Sequence, residues 1–216
     1  MSWHLTPDEF IHLWRETRRD RYPFPLRLRS RTRWQEDHAE LTTDLARRHC
    51  ADPDLSAALR VTADPAITLA LTGIRGKPLR LHATIVDSVA ITLFQHPGPT
   101  PDTGANITIE SGTPTLIPKI ITGILGDLPA GHTPSRSESR TATDISTQPC
   151  TGHGHIEIRR NLQTRTPPTP EFLSWFDIPD DGRYLYRTTA NTLAVRPCST
   201  ADLAAAIGTL ITLSPR

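Results

Sequence analysis

Cys150, His153 and His155 fall within six positions in the pattern C-x2-H-x-H. A thiolate and two imidazoles suit zinc, but a structural zinc site takes four protein ligands and a catalytic one takes three around an open position. No fourth ligand is at hand, since His132 lies well upstream and Cys198 well downstream. The three therefore read as a dispersed thiol and imidazoles at the end of a polar segment. Gly73-Ile-Arg-Gly-Lys-Pro78 has the glycines and lysine of a phosphate loop without its spacing, and Pro78 stands where the magnesium-binding hydroxyl belongs. It reads as a hairpin loop. Asp177, Asp180 and Asp181 cluster without the spaced ligands and later glutamate of a calcium loop, and read as turn formers. No nucleophile elbow, zinc-protease helix or dinucleotide-binding fingerprint occurs. The expectation is a protein with no catalytic residues, no cofactor and no metal.

Eight arginines lie between Arg15 and Arg33, beside Tyr22, Phe24 and, just beyond, Trp34. Arginines on phosphates and aromatics on bases would hold a single-stranded nucleic acid. Glu9, Glu16, Asp20, Glu36 and Asp37 dilute that charge, however, and no RRM, KH or helix-turn-helix signature is present. A solvated or partner-facing stretch is the preferred reading, with nucleic-acid binding through this face as the alternative. The formal net charge of +1 supplies no field that would recruit nucleic acid or an acidic membrane.

The elements that must position these residues are marked mainly by caps and periodicity. With 216 residues, 37% of them hydrophobic, the chain can bury one shared core. No apolar run reaches the length of a membrane span. The N-terminus lacks the basic and apolar regions of an export signal, and Cys50, Cys150 and Cys198 suit a reducing compartment. A soluble cytoplasmic protein is expected, a monomer or weak dimer when free.

Thr6-Pro-Asp-Glu9 is a capping box with proline at the first helical position, opening a helix that buries Phe10, Leu13 and Trp14. Residues 22–29 alternate apolar and basic side chains and predict a half-exposed strand, confined by its prolines to an edge. Thr32-Arg-Trp-Gln35 opens a second helix with Trp34, Leu41 and Leu45 inward. Asp52-Pro53 starts a third carrying Leu55 and Leu59. Strands follow over 67–72, 79–86, 89–94 and 106–110, then a helix over 115–128 with Ile121 and Leu125 among its inward residues. Residues 129–154 hold one large aliphatic, Ile145, and predict a flexible linker. Beyond it come a strand at 155–159 and a hairpin with Tyr184 and Tyr186 on one face and Leu185 on the other. A box at Ser199-Thr-Ala-Asp202 then opens a helix with Leu203, Ile207, Leu210 and Ile211 inward. The expected fold is α+β: an N-terminal half over 1–128 and a C-terminal half over 155–216, each an antiparallel β-meander with a helix. The halves are expected in a pseudo-twofold arrangement within one compact domain.

Several blocks keep their order along the chain. They are Leu5-Thr-Pro-Asp-Glu-Phe10 with Trp14, Tyr22-Pro-Phe-Pro-Leu-Arg27, Trp175-Phe-Asp-Ile-Pro-Asp-Asp-Gly-Arg-Tyr-Leu185, and Val195-Arg-Pro197. In this the chain resembles the EspG family, the ESX (type VII) secretion-associated proteins of actinobacteria. The resemblance implies a cytosolic, non-catalytic chaperone that binds a helical substrate, the PPE partner of a PE–PPE pair or another ESX client. Residues 129–154 and the loop 74–78 are shorter than in mycobacterial members, which leaves the client's identity open. The client is expected to be held jointly by that loop and the last helix. The loop would offer Ile74, Arg75 and Lys77, and the helix a small-residue flank of Ala204, Ala205, Gly208, Thr209 and Thr212. Small residues let another helix approach closely. The competing expectation is that they pack inside the chain's own core.

Overall fold

A short strand, β1 (Ser2–Leu5), leads into helix α1 (Pro7–Trp14), whose start is fixed locally. The Thr6 side chain accepts from the Glu9 amide, and Glu9 accepts from the Thr6 amide at 2.7 Å. The computed structural model describes residues 1–32, 35–48, 52–139, 149–188 and 192–212. Trp34, expected inward, and the central part of the expected linker lie outside them. Helix α2 (Gln35–Arg48) is followed by α3 (Pro53–Ala63), where the Asp52 carboxylate accepts from the Asp54 and Leu55 amides at 3.0 Å each. The first meander comprises β2 (Ile67–Arg75), β3 (Lys77–Val86), β4 (Val89–Pro97) and β5 (Gly104–Gly112), and α4 (Leu116–Leu125) follows it. After β6 (Arg136–Ser139), the second meander comprises β7 (Gly152–Arg159), β8 (Glu171–Ile178), β9 (Gly182–Thr188) and β10 (Thr192–Pro197). It ends in α5 (Thr200–Thr212), with Ser199 and Asp202 forming the expected box.

The ten described strands form one antiparallel sheet in the order β1-β5-β4-β3-β2-β7-β8-β9-β10-β6. The connectivity repeats: β1 pairs with the last strand of the first meander, and β6 with the last strand of the second. The meanders meet where β2 pairs with β7. On one face α4 and α5 lie side by side, placing Ile117, Ile121, Leu125, Leu203, Ile207 and Leu210 over Leu69, Leu71, Leu81, Ile156 and Leu185. On the other face α1 and α3 cover the first meander, packing Phe10, Leu13, Trp14, Leu55 and Leu59 against Ile91, Leu93, Ile107 and Ile109. There the second meander carries a smaller cluster of Phe176, Tyr184, Leu193 and Val195.

Three expectations are corrected. Residues 22–29 form no strand. Pro23 and Pro25 lack ladder donors, and side chains replace the ladder: Gln95 accepts from the Arg27 amide at 2.7 Å and donates to its carbonyl at 3.1 Å. The stretch 73–78 is hardly a loop, because Ile74 pairs with Pro78 and Arg75 with Lys77, leaving a tight turn at Gly76, φ +65°. Residues 129–154, expected to be a linker, are structured at both ends. Gly131 donates to Arg183 O, His132 donates from its amide to Asp181 at 2.6 Å, and β6 pairs with β10. Backbone pairing holds these polar residues where apolar burial could not.

Candidate partner-binding surface

The tip of the β2–β3 hairpin carries the three residues singled out there, and they diverge. Ile74 is 50% exposed, a large aliphatic open to solvent, and Lys77 beside it is exposed. Arg75 turns back into the fold. Its guanidinium donates to Leu125 O, and its Nε lies 3.5 Å from Asp177 Oδ2. The charge expected to face a client is thus largely taken up within the chain. Asp177 itself is no turn former but a fully buried strand residue, paired with the equally buried Arg183 at 2.8 and 3.2 Å. Arg183 also donates to Leu125 O at 3.1 Å and Gly126 O at 3.4 Å, and lies 5.7 Å over the Trp175 ring. A sequence signal for this pair existed: opposite charges placed evenly about the Pro179-Asp180-Asp181 turn are cross-strand neighbours in a hairpin.

On α5, Ala205, Thr209 and Thr212 are exposed, and Ala204 and Gly208 half-buried. A Cβ built on Gly208 meets nothing within 4 Å, so this flank is not filling the chain's own core. The Thr209 and Thr212 hydroxyls donate to Ala205 O and Gly208 O within the helix, which leaves the flank few polar demands. The eight residues are not gathered in one spot. The first turn of α5 lies at the hairpin-tip end of the sheet, where Thr200 donates to Leu128 O. The helix then runs to the opposite end, where Arg160, just past β7, donates to Leu210 O. Ala204 and Ala205 stay nearer the tip, while Gly208, Thr209 and Thr212 recede from it.

The other candidates stay dispersed. Cys150 Sγ is 3.5 Å from His153 Nδ1, whereas His155 Nε2 bonds the Thr72 hydroxyl at 2.9 Å. Among the described residues no three His, Cys, Asp or Glu side chains converge on a metal position. Burial pushes the Cys198 thiol up to about 11, away from nucleophile chemistry. Around the arginine-rich stretch, Arg19 pairs with Asp64 at 3.0 Å and Arg31 with Asp8 at 2.9 Å, and Trp14 is buried; Tyr22 and Phe24 are 43% and 57% exposed. No described helix is long and apolar enough to cross a membrane.

This architecture defines an α+β protein built on a single ten-stranded antiparallel sheet among the described residues, with paired helices on one face and a hairpin tip bearing the exposed Ile74 at one end. The chain belongs to the EspG family, which residues 6–142 match. Its fold is similar to that of the Mycobacterium tuberculosis type VII secretion system chaperone EspG5, solved in complex with a PE25–PPE41 dimer. The TM-score is 0.68 at 12% identity, covering 100% of this chain and 97% of that one. No curated protein matches the sequence.

Proposed function

We propose that the chain is a non-catalytic chaperone of a type VII secretion system, holding a helical PE–PPE-type substrate in the cytoplasm before export. The observation that carries this is EspG family membership, joined to a full-length fold likeness to a chaperone captured on a PE–PPE dimer. The surface suits the role. Ile74 offers an apolar contact at the hairpin tip, and the outward flank of α5 (Ala204, Ala205, Gly208, Thr209, Thr212) offers a helix close approach. A cytoplasmic location follows from the role, since a chaperone of this kind releases its cargo and stays behind.

Co-expression with PE–PPE pairs from the same genome tests the reading. The expected outcome is a complex containing all three chains on size-exclusion chromatography, from a pair that is insoluble without the chaperone. If the chain elutes alone beside every such pair and instead retains a single-stranded oligonucleotide, the chaperone reading fails and the arginine-rich face takes its place.

A further inference from the structure

Four residues stand in one row across four neighbouring strands: Arg75 opposite Gly152, Gly152 opposite Asp177, and Asp177 opposite Arg183. The row reads cation, gap, anion, cation. The gap is what lets it work, because Arg75 crosses the β7 backbone at Gly152 to reach Asp177. A Cβ at that position would stand 3.1 Å from both Arg75 Cγ and Trp175 Cζ3, and 3.3 Å from Asp177 Oδ2. The C-terminal end of α4 closes the row from above. Its last carbonyls lack intrahelical donors and carry the negative end of the helix dipole. Both guanidiniums donate to Leu125 O, and Arg183 also reaches Gly126 O. At Gly126, φ +70°, the backbone turns away, and a side chain there would fall on Arg75.

Arg183 takes the fork of the Asp177 carboxylate, and Arg75 shares one of its oxygens from the other side. Neither Asp177 nor Arg183 has any exposed surface, so no partner can touch them. Arg75 comes from the first meander and α4 is the helix that follows it, whereas Asp177 and Arg183 come from the second meander, so the cluster clasps the sheet across the β2–β7 seam.

We propose that Arg75 is a positioning residue for the partner surface and not a contact within it. Held in this clasp, it fixes the attitude of the β2–β3 hairpin and presents Ile74 and Lys77 on a rigid tip. A tip already ordered costs less to immobilise on binding. The binding part rests on the proposed function, whereas the clasp does not.

Hydrogen exchange on the free chain tests the clasp. Arg75→Met keeps the aliphatic stem and loses the fork, and Gly152→Val blocks the crossing while leaving Arg75 in place. In both, amides of residues 73–77 and 79 should exchange about tenfold faster or more, with residues 81–85 of β3 unchanged. Unchanged exchange at the tip, or acceleration spread equally to 81–85, overturns the proposal. Affinity for the co-purified PE–PPE pair is then measured against salt for Arg75→Met. A loss of the same factor at low and high salt supports positioning, whereas a loss that disappears at high salt makes Arg75 a charge contact and overturns it. If no PE–PPE pair binds the unaltered chain, the chaperone reading fails while the exchange result stands.

Discussion

His82 shows how one buried group ties the stability of this chain to pH. Its imidazole is buried on β3, with Nδ1 donating to Phe24 O at 2.7 Å. Burial disfavours the imidazolium and pulls the pKa down to about 4, although the carbonyl works the other way. The unfolded chain therefore takes up a proton below about pH 6.5 that the folded chain refuses until about pH 4. Stability from the neutral ring is complete above that window and drains away as pH falls through it, by about 3 kcal/mol at the bottom. Urea midpoints should consequently fall further between about pH 7.5 and 4.5 in the unaltered chain than in His82→Gln. Equal falls would mean that the ring is more hydrated than its surroundings imply. At this scale the sequence was least legible. The role of Asp177 depends on Arg183 across a turn, on Arg75 two strands away, and on carbonyls at the end of a helix. Only the first of these is near in sequence.

Elements were legible wherever their determinants are local. The boxes at Thr6 and Ser199 and the cap at Asp52 all sit where the residue types place them. The alternation in β9 likewise puts Leu185 in the main core and Tyr184 in the smaller cluster. Strands held by backbone pairing alone left no hydrophobic trace, and β6, Arg-Ser-Glu-Ser, is the plainest case. Residues 22–29 failed the other way: they alternate like a strand, yet two prolines remove the donors a strand needs. Of the candidate surface, the small-residue flank of α5 was readable from helical spacing, and the inward turn of Arg75 was not. The open space around Gly208 makes a sharp expectation. Gly208→Ala should raise stability by about 0.5–1 kcal/mol, because the helix loses a flexible residue and the new methyl meets nothing. A thermal melt checks it, and a lower melting temperature would mean that the flank is already covered in the free protein.

At the scale of the whole molecule, the sheet is long and joined in the middle, with β2 and β7 sharing a register from Thr68 opposite Arg159 to Arg75 opposite Gly152. Its two outer strands run over four described residues each. At one margin β1 pairs along Ile107 to Glu110 of the nine-residue β5, and the chain's terminal ammonium donates to Ser111 O. Removing residues 1–5 should leave β5 as a long unpaired border. Light scattering should then report concentration-dependent association that the intact chain lacks; a monodisperse truncated protein would show that β1 has no such duty. A sheet is a template for more sheet, and any strand with free amides and carbonyls along its outer side invites another copy to dock there. By hemming the β5 margin with a stub too short to seed a ribbon, the fold gives a new copy little to grow on there. For a chain proposed to hold other chains in solution, such a hem would also act against polymerising with itself.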